Sequence, residues 1–199
     1  MSFYARFEKY DDCLLRFDTR VYLNGTPQPQ KDGKCVAAVI GKNPGSAKPS
    51  NGSEWQALDL DGDKMLPSIR NRFIAAYERA NVPIPSLAYV RVLNLFYLCN
   101  PTLKEALEAT DPPRTCPKCA TEQQAYHIAW FAWGGNDAGL NPFKGRFLRL
   151  NAERAFFYDW SKREVVPRAP AETDFAKHIQ GLRKEPIIEH LANLLKTLA

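Results

Sequence analysis

The sequence predicts an α/β fold, a three-layer sandwich around a central, mostly parallel sheet of about four strands with an N-terminal hairpin. Three observations carry that expectation. Short apolar runs near residues 35–41, 88–97, 128–133 and 155–158 alternate with helical segments, as in βαβ architectures. The run Cys35-Val-Ala-Ala-Val-Ile-Gly41 is apolar without alternation, which marks a strand covered on both faces. Residues 12–23 instead alternate apolar and polar (Leu15, Phe17, Val21, Leu23), and Asn24-Gly25 and Asp32-Gly33 are turn pairs, so residues 1–33 read as a hairpin extension.

The remaining elements follow in order. Asn43 to Pro67 is polar and rich in Gly, Pro and Ser; a connection that long in a compact domain is usually functional or disordered. Its Asp59-Leu-Asp-Gly-Asp63 segment lacks the glycine position and closing glutamate of a calcium loop. Leu66 to Ala80 repeats apolar residues at helical spacing (Leu66, Ile69, Phe73, Ala76, Tyr77). The strand Ala88 to Tyr97 ends at Asn100-Pro101, and Thr102 with Glu105 three residues on signals a short helix. Thr121 to Tyr126 reads as helix, Ile128 to Trp133 as strand, Asn141 to Leu150 as a basic helix and Ala155 to Tyr158 as a short strand. Glu172 to Leu182 and Glu185 to Leu198 read as closing helices.

At 199 residues the chain suits a single domain, 1–199, with a sizeable core. Its 45% hydrophobic and 25% charged residues are ordinary for a globular protein, and no apolar run reaches membrane-spanning length. A charged, aromatic N-terminus does not resemble a signal peptide, so a cytoplasmic, monomeric protein is expected. The five cysteines are odd in number, which argues against a disulfide framework. Cys116-Pro-Lys-Cys119 has metal-knuckle spacing and could bind zinc with Cys99 and His127, but no second such pair exists; reduced thiols and no metal or cofactor are the expectation. The net charge of +5 is mildly basic. Basic residues concentrate between Lys144 and Arg168, which suits either a phosphate backbone or a plain solvated surface.

Ligands of parallel sheets bind beyond the carboxyl ends of the strands, which singles out four loops. In Gly41-Lys42-Asn43-Pro44-Gly45-Ser46 the glycines permit close backbone approach, and Asn43 offers a neutral acceptor that can orient a water; an ordinary turn is the alternative. Asn94 lies in an apolar strand and needs partners, either backbone or the edge of a base. Trp133-Gly-Gly-Asn-Asp137 has small residues that admit a neighbour. Pro167-Arg168-Ala-Pro170 is stiff and presents a cation. His127, His178 and His190 fall outside all four loops, and no nucleophile elbow supports a triad.

Gly-Lys-Asn-Pro-Gly after an apolar strand resembles the first motif of the uracil-DNA glycosylase superfamily, closest to its mismatch-specific and thymine-DNA glycosylase branch. Leu93-Asn94-Leu95 and Phe131-Ala-Trp-Gly134 resemble two further strands of that fold. Residues 23–171 also resemble a bacterial family known as domain of unknown function 1643, through the Asn-Pro loop, Ser68-Ile-Arg-Asn71, Asn94-Leu-Phe96, the Trp-Gly strand end and Pro167-Arg-Ala-Pro170. In the glycosylases the second motif carries a histidine or asparagine before Pro-Ser; here Arg168-Ala169-Pro170 stands in that place.

The resemblance implies a monofunctional DNA glycosylase that cleaves the N-glycosidic bond of a modified or mismatched pyrimidine flipped from DNA. Hypermodified cytosine of phage DNA, as an antiviral activity, is an extension. In this reading Asn43 is catalytic, positioning water. Gly41, Lys42, Pro44, Gly45, Ser46 and Asn94 line the substrate, and Trp55 stacks on the base. Lys144, Arg146, Pro167 and Arg168 bind DNA. A hydrolase or transferase of free nucleosides or nucleotides, and a non-catalytic DNA-binding module, are the alternatives.

Overall fold

The computed structural model describes every residue except 11–12, 30–31, 46–47, 50–54, 61, 101, 111–115, 136–137 and 199. Its strands are β1 (Phe3–Tyr10), β2 (Cys13–Tyr22), β3 (Cys35–Gly41), β4 (Lys48–Pro49), β5 (Trp55–Asp59), β6 (Tyr89–Asn94), β7 (Tyr126–Phe131), β8 (Ala152–Asp159) and β9 (Glu164–Val166). The α-helices are α1 (Met65–Ala80), α2 (Leu103–Ala109), α3 (Asn141–Phe147) and α4 (Glu185–Leu198). None of them is long and apolar enough to cross a membrane.

All nine strands form one mixed sheet in the order β4-β5-β1-β2-β6-β3-β7-β8-β9. Five pairings are antiparallel (β4–β5, β1–β5, β1–β2, β2–β6, β8–β9) and three are parallel (β3–β6, β3–β7, β7–β8). The expected four-stranded, mostly parallel sheet is therefore corrected: the sheet is larger and mostly antiparallel. The N-terminal hairpin is built into it, because β2 pairs with β6 from Thr19↔Val92 to Tyr22↔Tyr89. Strands β4 and β5 come from the polar connection after Pro44, where too few apolar residues alternate to announce a strand.

Each face of the sheet carries its own core. Val39, Val90, Val92, Trp130 and Phe156 pack against Leu66, Ile69 and Phe73 of α1 and Leu191 and Leu195 of α4. Ala38, Ile40, Leu93, Phe131 and Phe157 pack against Ala106 of α2 and Phe143 and Phe147 of α3. Strand β2 changes face along its length. Leu15 and Phe17 join the α2–α3 side, whereas Val21 and Leu23 join the α1–α4 side. The switch is a bulge: the β1–β2 register shifts between Tyr4 and Arg6, and Asp18 takes a left-handed φ of 44°.

Helix α1 starts where the Asp63 Oδ1 accepts the Met65 and Leu66 N–H groups, and it ends at Asn81 with φ 56°. Residues 172–182, expected to be helical, are irregular. The Asp174 carboxylate accepts the Ala171 N–H and the Arg168 guanidinium, a local turn that competes with helix. The chain then runs along the sheet end, with Gly134 N–H donating to Ala176 O and Lys177 N–H to Tyr158 O. Residues 121–125 carry a 3-10 turn (Ala120–Gln123) before β7 begins at Tyr126.

Candidate functional site

The carboxyl ends of β3 and β6 lie side by side, with Gly41 paired to Asn94 and Gly41 O accepting the Leu95 N–H at 3.1 Å. A Cβ on Gly41 would sit 3.0 Å from Asn94 Oδ1 and 3.8 Å from Met65 Cε, so close approach demands glycine here. Asn43 is held by a long-range bond: its Nδ2 donates to Asn100 O at 2.7 Å. That bond spends a donor and leaves Oδ1 available as an acceptor. Pro44 is buried, and Gly45 takes a φ of 69°. Ser46 lies outside the described residues. Asn43, Pro44 and Gly45 form one wall of a cleft of about 250 Å³, completed by Gly62, Asp63, Met65, His178 and Gln180.

Asn94 is fully buried, and neither its Oδ1 nor its Nδ2 has a hydrogen-bond partner among the described residues. Each such orphan costs about 1–3 kcal/mol unless water meets it, which makes Asn94 a candidate ligand contact. The alternative of a merely structural asparagine bonded to backbone is not what this side chain does.

Two residues of the cleft escaped the sequence reading. Asp63 was weighed only as part of a calcium loop, yet its carboxylate caps α1 and faces the cleft. His178 was expected on a helix; the irregular course of residues 172–182 carries it to the cleft instead. Gly134, with φ 75°, makes room for it: a Cβ there would lie 3.1 Å from His178 Cβ. Burial, then the neighbouring charges of Lys42 and Lys177, push the imidazole down to about 4, with Asp63 opposing weakly. The Gln180 N–H donates to Nδ1 at 3.2 Å, which requires the neutral ring with its proton on Nε2. The one available clue was the pair of flanking turn formers, Asp174 and Gly181, which make a long helix over 172–182 a poor expectation.

Several expected residues are elsewhere. Trp55, on β5, lies under the Arg20 guanidinium (4.2 Å to the ring centre) in a cluster with Tyr4, Tyr22 and Tyr89, three strands away from β6. Lys144 is fully buried and donates to Asn141 Oδ1 and Glu172 O, both at 2.8 Å. Arg146 donates to Leu95 O at 2.6 Å and pairs with Glu122 at 3.3 Å. Both cations are structural, because the helix expected to display them packs that face inward. Arg168 pairs with Asp174 at 2.8 Å with its guanidinium near the Phe157 ring, and neither it nor the exposed Pro167 lines the cleft.

Other lysines lie near the site. Lys42 approaches Gly134, Lys177 stands over the ring of the exposed Trp160 at 4.3 Å, and Lys64 and Lys184 line depressions that adjoin the cleft through Gly62, Asp63 and Gln180. No group of three metal-ligating side chains gathers among the described residues. Cys116 and Cys119 are buried in the α2–α3 core, and His127 pairs with Glu153 at 2.9 Å. No protein-family model, no curated protein and no solved structure matches the chain.

Proposed function

We propose that the protein is a DNA glycosylase that hydrolyses the N-glycosidic bond of a modified or mismatched pyrimidine flipped out of DNA. The observation that carries this reading is Asn43 and a neutral His178 lining one strand-end cleft, with the unpartnered, buried Asn94 paired to Gly41 at the base of the same loop. Asn43 Oδ1 accepts a hydrogen bond from a water held beneath the sugar. The C1′–N bond breaks towards an oxocarbenium-like sugar, whose charge the DNA phosphates and the Asp63 carboxylate stabilise. His178 Nε2–H donates to an oxygen of the leaving base, whose bonding electrons it helps to carry. The water oxygen bonds to C1′, its proton leaves to solvent, and the base departs, leaving an abasic site. Asn94 supplies both a donor and acceptors to the base edge. Lys42, Lys64, Lys177 and Lys184 replace Lys144 and Arg146 as the phosphate contacts, and Trp160 replaces Trp55 as the exposed aromatic. Hypermodified cytosine in phage DNA is one substrate of this class.

The burial of Lys144 and Arg146 favours a second reading, hydrolysis of free nucleosides or nucleotides, because it shrinks the cationic surface. One experiment separates the two. Plain, uracil-containing and glucosylated-hydroxymethylcytosine DNA are incubated with the protein, beside the matching free nucleotides, and abasic sites and released bases are measured. The glycosylase reading expects abasic sites in one of the DNA substrates, lost in Asn43→Ala, with binding that weakens steeply with salt. Base release from free nucleotides alone supports the second reading, and intact DNA binding with no release from any substrate sinks both.

A further inference from the structure

The α1–α4 face of the sheet holds a second anomaly beyond Asn94. Arg16, on β2, is fully buried, and all three of its guanidinium nitrogens lack hydrogen-bond partners among the described residues. Its neighbours Leu15 and Phe17 point into the α2–α3 core, so Arg16 points to the opposite face. Thr19 lies past the bulge on that same face, opposite Val92; its hydroxyl is buried and also unpartnered. Asn94 is two residues beyond Val92 on the adjacent strand, hence a diagonal neighbour of Thr19. Arg16 itself joins this strand's continuation, its N–H donating to Tyr97 O at 2.9 Å.

Six buried polar atoms on one patch thus have no partner among the described residues. An arginine stays charged under all ordinary conditions, and a buried charge without a counter-charge is among the costliest states in a protein. No described carboxylate lies within ion-pair distance of Arg16. Cys99 does not compensate it, since burial pushes that thiol up to about 11 and keeps it neutral. Asp63, which acts on Arg16 only at longer range, is a wall of the Asn43 cleft. Met65 connects the two regions: it lines the cleft, and its Cε approaches Gly41 beside Asn94. Its flexible thioether can swing aside.

We propose that Arg16, Thr19 and Asn94 form the floor of an oxyanion site, entered from the Asn43 cleft past Met65, that receives the carboxylate or phosphate group of a small ligand. The guanidinium fork matches two oxygens of such a group, while the Thr19 hydroxyl and Asn94 amide donate to the remaining lone pairs. A neutral ligand would satisfy the hydrogen bonds and leave the charge. The site shares Asn94 and its entrance with the proposed glycosylase reading, but its test does not use turnover, so the two readings fail separately.

The test is thermal unfolding of the full chain with inorganic phosphate or sodium acetate, each against sodium chloride of equal ionic strength. A saturable rise is expected, reaching about 5–10 °C at a hundredfold excess over the Kd. The oxyanion that saturates at lower concentration identifies the group. Arg16→Met, which deletes the unpaired charge at similar volume, should melt above the ligand-free wild type and show no saturable rise. Arg16→Lys, which keeps the charge and loses the fork, should bind at least tenfold more weakly; it decides the matter should Arg16→Met not fold. Absence of a saturable rise with both oxyanions, or an equal rise in the variant that folds, overturns the proposal.

Discussion

Replacing His178 with Gln tests the state of the cleft without any substrate. The imidazole sits at about 4 against an ordinary 6.5, chiefly because it is buried. Between those values the unfolded chain binds a proton that the folded chain refuses, so stability rises with pH across the window. The contribution is complete above pH 6.5, is lost as pH falls toward 4, and levels off once both states are protonated. A displacement from 6.5 to about 4, at 1.36 kcal/mol per pH unit, is roughly 3 kcal/mol. Residual solvent contact of the half-buried ring trims that to about 2–3 kcal/mol. For a chain of this size the corresponding drop in Tm is about 4–12 °C. His190 is also lowered by burial, but it is present in both proteins and cancels in the difference. Urea midpoints of wild type and His178→Gln at pH 7, 6, 5 and 4 should converge as the pH falls, the wild type losing stability faster. Parallel curves would show that His178 is not held neutral, and the role of Nε2–H as donor to a leaving base would go with it.

Other changes probe the surroundings. Gly41→Ala forces a Cβ to within 3.0 Å of Asn94 Oδ1 and should cost about 1–3 kcal/mol in urea unfolding while abolishing base release. Asp18→Asn strips the buried Arg91 of its 2.7 Å ion pair and should cost roughly 3–5 kcal/mol by the same measurement. Trp55→Ala should lose about 1–3 kcal/mol through its packing on Arg20 and leave turnover on any substrate unchanged; a large loss of kcat would return Trp55 to the site.

What could be read in advance depended on how local the signal is. The strand Cys35–Gly41 and the helix, read from Leu66 and observed as Met65–Ala80, announce themselves by apolar run and period, and the strand's end puts Asn43 in a loop beyond it. The hairpin's place inside the sheet is not local: it rests on β2 finding β6, some seventy residues on, and on a bulge at Asp18 that turns one strand from one core to the other. Asn94 was visible as a polar residue in an apolar strand; that it has no partner is a property of its neighbours. His178 was hidden by a false helical period, and Lys144 and Arg146 were misread because charge alone does not say which way a short helix faces. Arg16 drew no notice for the same reason. In an alternating strand a charged residue is expected on the wet face, and here neither face is wet.

Arg91 shows why the open state of Arg16 is not careless packing. Both arginines are buried, on adjacent strands of one sheet. On the α2–α3 face, the Arg91 guanidinium reaches Asp18 at 2.7 Å, Tyr89 Oη at 3.0 Å and the Gln124 side chain, so its charge and its donors are both met. On the other face Arg16, Asn94 and Thr19 have no side-chain hydrogen-bond partner among the described residues. Single nitrogens without a hydrogen bond also occur at Arg72, Trp130, Trp133 and Arg146, but Arg16, Thr19 and Asn94 together leave six polar atoms without a described partner, near the strand ends where Gly41 has given up its side chain and a cleft holds Asn43, Asp63 and His178. A fold that can satisfy a buried arginine fully, and does so one strand away, leaves this one without a described partner, which is the role the proposed oxyanion would fill.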